Sequence, residues 1–77
     1  VPKPAFSFKK RDYPHGGVGY ELREYRLTHK LTYRKLRALI GGKVPLSTLW
    51  RAEHGGIIHD TNVRELERFL QGVGVNV

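Results

Sequence analysis

Two short apolar-striped segments, separated by a glycine-rich break, limit this chain more than any other feature. In residues 31–55, LTYRKLRALIGGKVPLSTLWRAEHG, Tyr33, Leu36, Leu39 and Ile40 recur at three- and four-residue spacing. That is the period of one side of a helix. Thr32 is a good N-cap for it, and Gly41-Gly42 supply the positive-φ positions at which a helix ends cheaply. Pro45 cannot lie inside a helix but is at home in a first turn. Beyond it Leu46, Leu49, Ala52 and Glu53 share a side, and Gly55-Gly56 close the segment. Each predicted helix has about three turns or fewer, too short to persist alone in water. The pair must pack on each other and on flanking helices.

The flanks supply those helices. In residues 18–29, VGYELREYRLTH, Val18, Leu22, Tyr25 and Leu27 form an apolar side while Glu21, Arg23 and Glu24 point outward. Arg26 stands near the C-terminal end, where a cation suits the helix dipole. In residues 59–71, HDTNVRELERFLQ, Val63, Leu66, Phe69 and Leu70 form the buried side, with Gly72 as the stop. Asp60, Thr61 and Asn62 can each cap this last helix. Helices near 18–29, 32–40, 45–54 and 61–71 make a compact all-α bundle of four helices, or five with a further short one. It contains a helix-turn-helix, and residues 18–73 form the domain. Residues 1–17 hold three prolines, two glycines and Lys9-Lys10-Arg11 with no sustained period, and read as a flexible basic arm. Residues 74–77 read as a frayed tail, with a short strand pairing with a second copy as the alternative.

Charge decides the class of partner. The net charge is +7, but residues 1–43 carry eleven Lys/Arg against three acids, whereas residues 44–77 carry three against four. A positive side of this kind attracts phosphates, so a polyanion is the expected partner. Neither a sheet of stacking aromatics nor a GXXG loop between helices is evident, which makes RNA the weaker choice. With no cysteine in the chain, disulfides and thiolate metal ligands are excluded and a reducing compartment fits. No apolar run approaches the ~18 residues of a membrane span, and nothing resembles a signal peptide. The missing initiator methionine points to a processed chain, a trimmed one or a fragment.

Taken in order, Leu22-x-x-x-Arg26, Leu31-Thr32-x-x-x-Leu36 and Ser47-Thr48-Leu49-x-Arg51-x-Glu53-x-Gly55 resemble the Cro and phage-repressor type of helix-turn-helix regulator. This is the lambda-repressor-like, XRE-type class. The similarity spans roughly residues 20–73, and the third-helix phrase STLWRAEHG is its most specific part. The chain departs from the pattern at three places. Gly41-Gly42-Lys43-Val44 stands where the family usually has Gly-Val, so the turn is two residues longer. Arg37 occupies the place of a small alanine, and Ala38 is expected to take over its packing. Lys30 replaces the glycine that commonly ends the first helix.

The resemblance implies a bacterial or phage transcriptional regulator, in most cases a repressor. It implies sequence-specific binding to double-stranded DNA, with a homodimer on a palindromic site. The second helix of the pair enters the major groove with its N-terminal side chains on base edges. Stepping 100° per residue from an inward Leu49 turns Ser47, Arg51 and His54 outward, with Thr48 and Trp50 on the flanks. Ser47, Thr48 and Arg51 are therefore the expected base contacts; an arginine pairs bidentately with guanine. Leu46 is a fourth on the family pattern, although the same stepping tucks it toward the core. Phosphate contacts are expected from Thr32, Tyr33, Arg34, Lys35, Arg37 and Lys43, around the N-terminus of the preceding helix. Arg26 and Glu53 match the family's ion pair, which braces the reading helix from behind. Trp50 is expected to pack on Ile57-Ile58 or on the lengthened turn.

Catalysis has little support. Ser47 has no adjacent base, and the carboxylates show no metal-binding pattern. His54 and His59 lack a third ligand at a recognisable spacing, so neither a metal nor a cofactor is expected. A cytoplasmic, nucleoid-associated DNA binder is the leading expectation. A protein-interaction module or antitoxin built on the same bundle is the alternative.

Overall fold

The computed structural model describes residues 9–76. Among them four α-helices form an all-α bundle: α1 Val18–Thr28, α2 Tyr33–Ile40, α3 Leu46–Glu53 and α4 Asp60–Gly72. The chain folds this way because every helix contributes to one core. Leu22 of α1, Leu36 of α2, Leu49 of α3, and Leu66 and Leu70 of α4 are fully enclosed, with Val18, Ile40, Ala52 and Ile58 closing the edges. Burying each large aliphatic side chain contributes about 1.5–3 kcal/mol, which four short helices need. Val44 is also fully buried. The turn between α2 and α3 is held in place, since it drops its own apolar anchor into the core.

All four helices end in the same way. After α1, Lys30 N donates to Leu27 O and Leu31 N to Arg26 O; after α2, Gly41 N donates to Ala38 O and Gly42 N to Arg37 O. After α3 the donors are Gly55 to Ala52 and Gly56 to Arg51, and after α4 they are Gly74 to Gln71 and Val75 to Leu70. Each is the paired reverse bond that satisfies the last carbonyls through a left-handed residue. That residue is glycine in three cases and Lys30, at φ 53°, in the fourth. Thr32 caps α2, its hydroxyl accepting from Lys35 N at 3.2 Å.

α1 packs on both α3 and α4, and α2 packs chiefly on α3. The α1–α3 crossing is unusually close at Gly19, where a Cβ would lie 2.0 Å from the carbonyl oxygen of Ala52. Only glycine admits that approach.

Several sequence expectations are corrected. The predicted arm is folded over its described part: residues 9–17 form two 3-10 turns, Tyr13 is buried, and Lys10 pairs with Glu21 at 2.9 Å. Its aromatic ring gains apolar burial that outweighs the ordering of a few residues. Residues 1–8 lie outside the described residues. Leu27 and Leu39, assigned to apolar sides, are about half exposed because each stands at the edge of its helix's buried arc. α4 is capped by His59, whose imidazole accepts from Thr61 N, rather than by residues 60–62. Gly72 is the last helical residue, and the stop falls on Gly74 at φ 87°. The tail is not frayed at Val75, which packs against the core as the closing bond to Leu70 draws it in. Val77 is outside the described residues.

Candidate functional site

The surface on which the sequence places its functional residues is the outer side of α3 and the adjoining turn and N-terminus of α2. Its geometry starts from behind. Leu49, Ala52 and Glu53 face inward, and Glu53 is only 1% exposed, the single buried charged side chain among the described residues. A carboxylate that deep requires partners. Nε of Arg26 donates to both of its oxygens, at 2.8 Å to Oε2 and 3.0 Å to Oε1. This is one N–H shared between two acceptors, not a two-nitrogen fork, because Nη1 of Arg26 turns to the carbonyl of Leu31 at 3.3 Å. Tyr33 closes the group: its hydroxyl donates to Oε1 of Glu53 at 3.3 Å, and its ring lies 4.4 Å beneath the Arg26 guanidinium.

These contacts move protons in predictable directions. The hydrogen bond to Glu53 raises the Arg26 guanidinium above its usual value, against an opposing effect of burial. Burial, reinforced by the Glu53 charge, raises the Tyr33 hydroxyl. The Arg26 guanidinium thus stays charged and the Tyr33 hydroxyl stays a donor across the neutral range.

A third tie comes from outside the helices. The Tyr13 hydroxyl donates to the backbone carbonyl of Glu53 at 2.8 Å, and the Tyr13 ring meets Tyr20 edge-on with centroids 5.7 Å apart. Nearby, Ile58 N donates to Nε2 of His15 at 3.1 Å. The sequence reading did not assign Tyr13 a site role. The available signal was an aromatic residue in a segment taken as free, since such rings usually find a surface.

The outward side of α3 carries Ser47 and Arg51, both exposed, with Thr48 half-buried beside them. The stem of Arg51 crosses Gly56, where a Cβ would come within 2.4 Å of Arg51 Cγ. Its guanidinium makes no hydrogen bond or ion pair among the described residues. Leu46 stands 37% exposed at the N-terminus of α3. Trp50, expected to fill a local gap, is 53% exposed and stacks on the His54 ring, with centroids 3.7 Å apart. The cause is the helix itself, since residues four apart lie one above the other. His54 Nδ1 reaches the Trp50 carbonyl at 2.7 Å and holds the stack.

The expected phosphate contacts divide. Arg34, Lys35 and Lys43 are exposed, and their charged ends have no hydrogen-bonded or ionic partner among the described residues. Arg37 has other partners: Nε donates to Val44 O at 3.1 Å and Nη2 to Gly42 O at 3.0 Å. It staples the long turn. Ala38 is exposed and does not replace it in packing. Tyr33 is turned to Glu53, and the Thr32 hydroxyl caps its own helix. Between α2, the turn and the start of α3 lies an open cleft of about 440 Å³ lined by Arg34, Arg37, Ala38, Gly42 and Leu46. Backed by the Glu53 group, α3 shows hydroxyls and a guanidinium to one side, flanked by cations with no partner among the described residues.

No family model, no curated protein and no solved structure matches this chain at a significant level. No helix among the described residues is long and apolar enough to cross a membrane.

Proposed function

We propose that the chain is a sequence-specific double-stranded DNA-binding protein of the Cro and phage-repressor type. On this reading it is a bacterial or phage transcriptional regulator, most simply a repressor that occupies its operator, and it binds without catalysing. α3 lies in the major groove; Arg51 and Ser47 contact base edges, and Leu46 and Thr48 flank them. Arg34, Lys35 and Lys43 hold phosphates and set the salt dependence. A homodimer spans two half-sites about one helical turn apart, and the working site is the nucleoid in the cytoplasm.

One observation carries the reading. α3 is divided between a buried side ending in the braced Glu53 and an open side bearing Ser47 and Arg51. A reading helix needs that rigidity behind and that chemistry in front.

Selection of binding sites from random duplexes, followed by titration at two salt concentrations, tests it. A specific DNA binder yields a preferred sequence, survives competitor DNA and loses affinity steeply with salt. A flat selection sinks the proposal. The second reading, an interaction module or antitoxin, draws on the exposure of Leu39, Trp50 and Ile57. It gains from a flat selection.

A further inference from the structure

We propose that Tyr13 is a positioning residue for α3: its hydroxyl, bonded to the Glu53 carbonyl, fixes the angle at which Ser47 and Arg51 are presented. The proposal rests on the DNA-binding reading for its consequence, but not for its structural content. Tyr13 is 5% exposed, and the 2.8 Å bond ties it to a residue 40 positions along the chain. Its ring also meets the close α1–α3 approach, with Cδ2 3.1 Å from where a Cβ on Gly19 would stand. One side chain thus meets the α1–α3 crossing and the end of α3 together.

Its neighbours make the segment a strap with three fastenings. Lys10 fastens it to Glu21 of α1, Tyr13 to the last residue of α3, and His15 to Ile58 in the connection to α4. The Arg26 group grips the Glu53 side chain, whereas Tyr13 grips its backbone. The two constraints act on different atoms of one residue, so α3 can neither roll nor slide without breaking one of them. Burial pushes the Tyr13 hydroxyl up from its ordinary value, so it remains a donor at neutral pH.

The test is Tyr13→Phe in the full chain, which keeps the ring and deletes the donor. Without DNA, amide exchange at His54, Gly55 and Gly56 is expected to accelerate about fivefold or more, as follows from losing a bond worth about 1 kcal/mol. Exchange at Leu66 and Leu70, which open with the whole domain, should rise by no more than that factor. On DNA, affinity for the selected site falls by a similar factor while affinity for random duplex holds, because the cations remain. A larger rise across α4 than at the end of α3, or no rise at His54, Gly55 and Gly56, overturns the proposal. If the wild-type chain selects no sequence, the DNA reading fails, and the exchange pattern still decides whether Tyr13 holds α3.

Discussion

Nε of Arg26 lies 2.8 Å from Oε2 of Glu53, a carboxylate that is 1% exposed and so requires a paired counter-charge. A buried pair of this kind adds little net stability, yet removing one partner leaves an uncompensated charge. Arg26→Met is therefore expected to cost about 3–5 kcal/mol, measured by urea unfolding. The double variant Arg26→Met, Glu53→Leu should recover most of that loss. If the double variant is as unstable as the single one, the penalty comes from packing and not from stranded charge.

Gly19 makes a sharper prediction about packing. A Cβ there meets a backbone carbonyl, which cannot swing aside as a flexible side chain would. Gly19→Ala is expected to separate α1 from α3 and to destabilise the domain by about 3 kcal/mol. Gly72→Ala is the matched control: nothing lies within 4 Å of its Cβ position. It sits in the last turn of α4, so alanine should be neutral or stabilising by up to about 0.5 kcal/mol.

Lys30 occupies a left-handed position that the other three helices give to glycine. A lysine there carries about 1 kcal/mol of backbone strain. Part of the gain from Lys30→Gly is lost to the greater freedom of glycine in the unfolded chain. The net expectation is roughly 0.5 kcal/mol of stabilisation, or about 3 °C in Tm. A lower Tm would mean that the lysine side chain itself supports the helix end.

Tyrosine ionisation predicts the alkaline limit. Tyr13 and Tyr33 both have hydroxyls raised above the ordinary value of about 10, by burial first. As pH climbs past 10 the unfolded chain releases these protons while the folded one keeps them. The stability they contribute is complete below pH 10 and is lost as pH rises through the folded values. Unfolding free energy should thus decline above pH 10, and Tyr33→Phe should flatten part of that decline. An unaltered alkaline slope in Tyr33→Phe would remove Tyr33 from the account.

The helices were legible because each carries its own punctuation. Thr32, Gly41 and Gly55 mark ends that any packing would respect, and Leu22, Leu36, Leu49, Leu66 and Leu70 recur at helical spacing. Trp50 was not legible, since its partner His54 lies four residues away on the same outer surface and no core periodicity marks such a pair. Tyr13 and Gly19 were hidden for a different reason. Their role exists only where α1 crosses α3, and that meeting depends on tertiary distance, not on local pattern. Arg37 shows the same limit: its charge read as a phosphate contact, but the turn after α2 presents carbonyls that its guanidinium bonds.

That reassignment of Arg37 separates two kinds of arginine within one turn of α2. Arg34, Lys35 and Lys43 have no competing partner among the described residues, so on the DNA-binding reading each phosphate contact releases a counterion. Alanine at any of the three should reduce the slope of log affinity against log salt by about 1, with stability nearly unchanged. Arg37→Ala behaves differently, because it frees the carbonyls of Val44 and Gly42 and loosens the turn that anchors Val44 in the core. It should lower unfolding free energy by about 1–2 kcal/mol and leave the salt slope near its original value. Should Arg37→Ala instead shift the slope and spare the stability, the guanidinium leaves the turn on binding and contacts a phosphate after all.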